Sequence, residues 1–545
     1  MMFAVVIFLL LHSSSLTRET SSEESSTPRS MADDSLSTTP AFTLRQLGVF
    51  GAPPNLLAPA PFSPFTMGGS LKPLVPVTEA PFARTMPPAY TFPTFPTISF
   101  PTLPPPVNAT MKPINITIDP EALMDVPEII SHWGYPVETH KVATSDGYIL
   151  TVHRIPHGKK NRGTKREQRP VIFLQHGLLC TSSIWLLNLP HQSAGFIFAD
   201  EGYDVWLGNM RGNTYSKQHS RLRANDPAFW KFSWEDMARS DLPAMVNYVL
   251  RVTKQPHLYY VGHSQGALTM FSKMSEDQEF SNKIRKFFAM APVTRMSNVK
   301  GLFYDLGQIY EQYNMVYQIF GDGEFLSNNI FTKLFTDILC DQAVNNPLCE
   351  NFIFAVSGPN SNQFNASRIG IYLAHNPAGT SSRNMLHFAQ MVKTQRMARF
   401  NFGKQFNLRY YHTEEPPEYD LSRINSSVYL FYSDSDWLAN SLDVEGYLMQ
   451  KLPKNTLRKA KKLKDFNHND FLWGMRARSE IYEKILDEIF IDVRRLNVQE
   501  GLTKFLRSRP SSLPSNFSDE IRRKFITAKD VADFNVTEPF NLKLD

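Results

Sequence analysis

The stretch Gly262-His263-Ser264-Gln265-Gly266 follows the apolar run 258–261 (LYYV) and precedes a predicted helix at 267–274. It has the pattern G-x-S-x-G, and its two glycines allow a tight strand-to-helix turn that side chains would block. Such a turn lifts the serine hydroxyl above the sheet and aims the helix N-terminus at negative charge developing beside it. An ordinary Gly/Ser loop would not need the strand before it and the helix after it. The stretch therefore predicts Ser264 as a nucleophile.

Short apolar runs alternate with helical stretches such as 236–252 on both sides of this turn. Continuous apolar runs are typical of strands that are buried on both faces, and their alternation with helices indicates a mostly parallel sheet with helices on both faces. The strands predicted from such runs are 171–174, 204–207, 258–261, 287–290 and 428–432, and an alternating pattern predicts a further strand at 148–155. Together with the serine turn, this order predicts an α/β-hydrolase fold.

A serine nucleophile needs a histidine base, and the histidine needs a carboxylate that fixes its tautomer and stabilises its charged form. In this fold the chain order is Ser, then Asp or Glu, then His. Two acids, Asp434 and Asp436, follow the strand 428–432, and His468 is the one histidine beyond them. The oxyanion donors are expected from Gln265 and from the loop 175–179 (QHGLL). This loop could also be an ordinary glycine turn.

Far more residues separate Ser264 from Asp436 than a crossover or two require. We assign the core to 119–293 and 417–493, and an insertion, here called the cap, to 294–416. The cap is rich in Phe, Tyr, Met and Leu. It could be a second small core, or it could supply an apolar acyl pocket and a lid.

The ends of the chain indicate the secretory pathway. Residues 1–15 form a short apolar start followed by small residues, which predicts a signal peptide, although a signal anchor is an alternative because Lys and Arg are absent from its first residues. Residues 16–118 are Ser/Thr-rich and then Pro-rich, which predicts a disordered segment: a stalk, a tether or a pro-segment. Residues 494–545 form a C-terminal extension. The N-x-S/T sequons predict glycosylation at Asn108, Asn115, Asn365, Asn425, Asn516 and Asn535.

The charge pattern limits the partners. A net charge of +5 over 545 residues gives no argument for nucleic acid. The basic run 454–464 could dock on anionic lipid or form a solvated face. No segment after the signal peptide is long and apolar enough to predict a membrane helix. Of the three cysteines, Cys340 and Cys349 are nine apart and could close a small loop in an oxidising compartment, with Cys180 left over; alternatively, all three are buried thiols.

Residues 126–491 resemble the acid lipase family, which comprises the gastric and lysosomal acid lipases with insect and nematode relatives. The stretches that carry the resemblance are HGLLCTSSIW (176–185), AGFIFADEGYDVWLGNMRGNTYS (194–216), LYYVGHSQG (258–266), YLAHNPAGTSSRNMLHFAQ (372–390), SDSDWLANSLDV (433–444) and FNHNDFLWG (466–474).

By position, the resemblance implies Ser264 as nucleophile, Asp436 as acid and His468 as base, with Leu178 and Gln265 as oxyanion-hole amides. It further implies a Cys340–Cys349 disulfide in the cap and a glycan at Asn365. The chain departs from the family in its first 118 residues, in its C-terminal extension, at Met210, which breaks the usual Asn-Ser-Arg-Gly-Asn, and at Cys180. None of these departures touches the predicted triad.

The function that follows is hydrolysis of lipid esters, triacylglycerols or steryl esters, at a lipid–water interface, without a metal or cofactor, in the lysosome or outside the cell. A non-catalytic lipid-binding or storage protein on the same scaffold is the alternative from another class, because a fold does not fix a function. A peptidase or thioesterase could use the same triad. The oligomeric state is left open.

Overall fold

The computed structural model describes residues 119–159, 169–326 and 353–507. Several predictions therefore lie outside the described residues: the signal peptide, the segment 16–118, most of the C-terminal extension, Cys340, Cys349, and the sequons at Asn108, Asn115, Asn516 and Asn535. Within the described part of the chain, no helix is long and apolar enough to cross a membrane.

One large sheet organises the described residues. The strands in chain order are β1 Glu138–Ala143, β2 Tyr148–Ile155, β3 Val171–Gln175, β4 Asp204–Gly208, β5 Gln218–His219, β6 Leu258–His263, β7 Ile284–Met290, β8 Glu324–Phe325, β9 Thr380–Ser381, β10 Ser427–Ser433 and β11 Leu457–Leu463. The sheet has the order β1-β2-β4-β3-β6-β7-β10-β11, with β5 beside β2, while β8 and β9 form a separate pair. β2 is antiparallel to β1, β4 and β5, whereas the six neighbouring strands β4, β3, β6, β7, β10 and β11 run parallel to one another.

The parallel strands form where the sequence is continuously apolar. All residues of β3, β4 and β6 are buried, which requires cover on both faces of the sheet. The longer described α-helices are Val126–His132, Ala194–Asp200, Leu242–Thr253, Gln265–Glu276, Leu302–Gln308, Tyr310–Phe320, Ile369–His375, Ser382–Thr394, Lys404–Tyr411 and Glu483–Arg507. A mostly parallel sheet flanked by helices confirms the predicted fold class.

The basic run 454–464 contains strand β11, which ends the described sheet beside β10. Most of its side chains are exposed, and three of its lysines have partners within the molecule. Lys459 contacts Glu488, Lys461 donates to the Glu480 carbonyl at 2.7 Å, and Lys462 pairs with Asp434 at 2.7 Å. Charged side chains on an edge strand discourage pairing with another chain. The exposed side chains and their partners therefore favour the interpretation of the basic run as a solvated edge of the sheet.

The described parts of the cap contain a small apolar cluster of their own. It consists of Leu306, Phe325, Met385, Leu386, Ala389 and Phe400. Leu178 and Leu179, from the loop after β3, pack against this cluster. The insertion therefore contains a second small core that also covers the loop beside the serine, and its roles as acyl pocket and lid stay predictions.

The first described residues bind the cap through a buried ion pair. Asp119 caps the helix Pro120–Leu123 by accepting from the Glu121 amide at 2.9 Å. The buried Glu121 carboxylate binds both terminal nitrogens of the buried Arg368, at 2.7 and 2.8 Å, and accepts from Trp133 Nε1 at 3.0 Å. A bidentate Arg–carboxylate pair has a fixed geometry, so it anchors the start of the fold on the cap.

Candidate active site

Ser264 sits in a strained turn between β6 and the helix Gln265–Glu276. Its φ of 54° and ψ of −118° lie in a region that residues other than glycine rarely adopt. A Cβ on Gly262 would lie 2.8 Å from the Gly266 carbonyl oxygen, and one on Gly266 would lie 2.5 Å from the Gln175 carbonyl oxygen. Both glycines are therefore required by close backbone approach, as the sequence pattern predicts.

His468 lies against Asp436, in the loops that follow the neighbouring strands β11 and β10. Its Nδ1 lies 2.9 Å from Asp436 Oδ2 and 3.0 Å from Oδ1. Asp436 is 0% exposed, and its Oδ1 also accepts from the amides of Leu438 and Ala439 at 2.8 and 2.9 Å. These donors hold the carboxylate in one orientation, and a carboxylate at Nδ1 leaves Nε2 as the basic nitrogen.

Asp434, the other acid in that loop, points elsewhere. Its side chain is 67% exposed, pairs with Lys462 at 2.7 Å and accepts from Ser441 Oγ at 2.6 Å. The hydrogen bond from Lys462 keeps the pKa of Asp434 below its ordinary value. Only Asp436 of the two candidates is placed to orient His468.

The two residues predicted as oxyanion donors, Leu178 and Gln265, belong to segments that adjoin Ser264. A Cβ on Gly177 would lie 3.4 Å from Ser264 Oγ, so the loop after β3 passes directly beside the serine. Leu178 follows in that loop and lines the same cavity as Ser264 and His468. The side chain of Gln265 is turned away, with its Oε1 accepting from Asn384 Nδ2 at 2.8 Å. Within the described residues, neither the Leu178 amide nor the Gln265 amide donates a hydrogen bond.

His176 supports this loop through contacts that no sequence motif indicates. Its Nε2 accepts from the Met210 amide and faces Asn213 Nδ2, both at 3.1 Å, while its Nδ1 lies 2.8 Å from the Gly177 carbonyl. Burial lowers the pKa of His176 to about 4, so the ring is neutral and Nδ1 donates to Gly177. Met210 contributes through its backbone, and its departure from the family motif leaves this contact intact.

The residue before the serine is also a neutral histidine. His263 is buried, and its Nε2 lies 3.0 Å from the His468 carbonyl oxygen. Burial lowers the pKa of His263 well below its ordinary value. It therefore supports the base loop without placing a second positive charge beside His468.

A reciprocal capping box encloses the base. The Asn467 amide donates to Asp470 Oδ2 at 2.7 Å, and the Asp470 amide donates to Asn467 Oδ1 at 3.1 Å. Asp470 is 0% exposed, and burial raises its pKa to about 7. The N-x-x-D spacing at 467–470 is the sequence signal that could have revealed this box. His468 is thus held between two residues that fix each other.

The cavity above Ser264 and His468 is lined mainly by apolar side chains from the core and the cap. They include Leu179, Val293, Leu302, Phe303, Leu306, Phe325, Ile353, Val356, Met385, Phe388 and Trp473. The cavity volume is about 240 Å³. Cys180, a free cysteine, also lines it, and burial raises the pKa of its thiol to about 12. A cavity of this chemistry suits an acyl chain more than a polar ligand.

Two predicted glycosylation sites fall on described residues. Asn365 is half-buried, and its Oδ1 accepts from the Ser367 amide and hydroxyl at 3.2 and 2.8 Å. Asn425 is exposed. Both stay predictions.

Comparisons with known proteins identify the family of this chain. Residues 126–189 match the model of a partial α/β-hydrolase lipase region, and residues 170–475 match that of the α/β hydrolase fold. Lipase lipl-1 of Caenorhabditis elegans is 47% identical over 69% of this chain and 93% of its own length. Gastric triacylglycerol lipase of Bos taurus is 44% identical, over 68% and 92%. Lysosomal acid lipase/cholesteryl ester hydrolase of Homo sapiens is 41% identical, over 68% and 92%.

Among solved structures, a putative lipase from Sulfolobus solfataricus aligns with a TM-score of 0.43 at 13% identity, covering 65% of this chain and 93% of that chain.

Proposed function

Because the chain belongs to the acid lipase family of α/β hydrolases, which makes it a carboxylic ester hydrolase, we propose that it cleaves triacylglycerols or steryl esters through a Ser-His-Asp acyl-enzyme mechanism. One observation carries the mechanism: His468, paired with the buried Asp436, lines the same apolar cavity as Ser264. The names of the relatives support the choice of substrates.

In this mechanism Ser264 Oγ attacks the ester carbonyl carbon while His468 Nε2 takes the hydroxyl proton. Asp436 stabilises the imidazolium that forms, and the amides of Leu178 and Gln265 donate to the oxyanion. The proton on His468 then passes to the departing alcohol. A water molecule, deprotonated by the same nitrogen, hydrolyses the acyl-enzyme and restores Ser264.

The chemistry of the cavity favours lipid esters over peptides. The side chains around Ser264 offer an acyl chain contact on several sides, whereas a peptide substrate needs backbone donors and acceptors along its length. A gastric lipase and a lysosomal lipase among the relatives support a place in the secretory pathway, either lysosomal or extracellular. The non-catalytic alternative would have no use for a buried acid–base pair beside a strained serine.

The test is hydrolysis by the purified protein of triolein, cholesteryl oleate and p-nitrophenyl butyrate at acidic and neutral pH. We expect Ser264→Ala to lower turnover on every cleaved substrate by roughly 10³-fold or more. Ser275→Ala is the matched control, because Ser275 is also buried in the helix after the turn and its hydroxyl donates to the Ser272 carbonyl at 2.8 Å, away from the predicted triad. Activity that survives Ser264→Ala, or a wild-type protein that binds these lipids without cleaving them, would refute the proposal.

A further inference from the structure

One carbonyl of the cap joins the two loops that carry the acid and the base. The carbonyl oxygen of Ser357 accepts from the His468 amide at 2.9 Å and from the Trp437 amide at 3.3 Å. Trp437 directly follows Asp436, and His468 is the base itself. A carbonyl oxygen has two lone pairs, so a single group can hold both loops at once. Ser357 is 0% exposed, which protects both bonds from water.

A second cap residue, Lys300, also binds the acid loop. The Lys300 amide donates to the Trp437 carbonyl at 2.9 Å, so both polar groups of the Trp437 backbone bind cap residues. Asn467, the residue before the base, adds a bond from its Nδ2 to the Pro359 carbonyl at 3.2 Å. The acid and base loops therefore both rest on the cap segment 353–359.

The same segment forms part of the wall of the cavity. Ile353 and Val356 line it, one helical turn or less from Ser357. The Ser357 hydroxyl donates to the Ile353 carbonyl at 2.7 Å, and the Gly358 amide donates to the Phe354 carbonyl at 3.0 Å. These bonds make 353–358 one compact turn, with the cavity on one side and the triad loops on the other.

We propose that the cap segment 353–359 is a positioning element of the triad, which fixes Asp436 relative to His468 through the Ser357 carbonyl. The inference rests on the proposed function and deepens it. A displacement of about 1 Å between reacting groups can cost on the order of 10²-fold in rate. The cap therefore sets kcat as well as substrate binding.

Gly358→Ala is the variant that tests this. Gly358 has a φ of +123°, and a Cβ there would lie 2.2 Å from the Ser435 carbonyl oxygen, so the segment must move away from the acid loop. We expect kcat on p-nitrophenyl butyrate, per active site titrated with a phosphonate, to fall roughly 10- to 100-fold with KM little changed. The acidic limb of the kcat–pH profile should move to lower pH, because a looser Asp436 stabilises the His468 imidazolium less.

Gly323→Ala is the matched control, since Gly323 also lies in the cap but a Cβ there would meet nothing within 4 Å. A Gly358→Ala enzyme that has a raised KM with wild-type kcat and an unmoved acidic limb would overturn the proposal, because the segment would then serve binding alone. So would a loss that disappears when the rate is corrected for titrated sites. Either result would leave the proposed function standing, because that depends on the wild type and on Ser264→Ala.

Hydrogen exchange in the wild-type protein keeps the proposal testable if Gly358→Ala fails to fold. The Trp437 and His468 amides should both be strongly protected, and their protection factors, corrected for the intrinsic exchange rate of each amide, should be similar because displacement of the Ser357 carbonyl frees both. Exchange of either amide with the low protection of an exposed loop would refute the shared bond.

Discussion

At the scale of single residues, two acids that are two positions apart in one loop have opposite surroundings. Asp436 is buried against His468 Nδ1, whereas Asp434 is exposed and paired with Lys462. We expect Asp436→Asn to lower turnover roughly 10³- to 10⁴-fold by leaving His468 in the wrong tautomer, and Asp434→Asn to cost little. Steady-state kinetics on a soluble ester measures both variants. The opposite ranking would show that the acid is misassigned.

Asp470 gives a second residue-level prediction, on stability. Its pKa is raised from 3.8 to about 7 by burial, so between these values the folded protein holds a proton that the unfolded chain has lost. The contribution of Asp470 to the free energy of unfolding therefore decreases as pH rises from about 4 to about 7 and then levels off. Asp470→Asn cannot ionise and keeps an acceptor for the Asn467 amide. We expect its stability relative to wild type to increase across that range.

Urea unfolding of both proteins at a series of pH values measures this difference. Asp434→Asn is the control with the opposite sign, because the pKa of Asp434 is lowered by Lys462 and its small contribution is lost as pH falls. A stability difference between Asp470→Asn and wild type that stays constant from acidic to neutral pH would contradict the assignment of a buried neutral carboxyl.

At the scale of elements, the sequence predicts what is encoded locally. The strands β3, β4, β6, β7 and β10 follow from apolar runs, because strands buried in a parallel sheet must be apolar, and the antiparallel strand β2 follows from its alternating pattern. The sequence of the exposed edge strand β11 indicates only a basic run, since most of its side chains are exposed and no apolar alternation marks it as a strand. The last helix, Glu483–Arg507, continues past the predicted end of the core at 493, because the polar sequence beyond it is helical without an apolar face to reveal it.

In the candidate site, too, the sequence predicts the features that are encoded locally. Ser264, Asp436 and His468 could be predicted because the order of a triad is fixed in this fold and short motifs surround each member. The support from His176 and Ser357 could not be predicted. His176 binds the Met210 amide, and the Ser357 carbonyl binds the Trp437 and His468 amides. These partners are distant in sequence, and almost any residue at their positions would offer the same backbone amide, so no motif marks the contacts.

At the scale of the whole molecule, the anchor between Glu121 and Arg368 defines where the fold must begin. Every candidate triad and oxyanion residue lies after Asp119, and Asp119 itself caps the first described helix. We expect a protein that starts at Asp119, behind a fresh signal peptide, to be secreted with wild-type Tm and wild-type ester hydrolysis. A protein that starts at Val126 lacks Glu121 and leaves Arg368 buried without its carboxylate, which should cost about 3 to 5 kcal/mol of stability.

Thermal unfolding and p-nitrophenyl butyrate hydrolysis, measured on both truncated proteins, separate the two boundaries. Glu121→Gln in the full chain is the matched control: it keeps the size of the side chain but removes the charge that Arg368 binds, so it should lose a large part of the same stability. If the protein starting at Asp119 is folded but inactive, residues before Asp119 contribute to the site, and the boundary must move toward the N-terminus. If the protein starting at Val126 is as stable as the longer one, the buried pair does not anchor the cap.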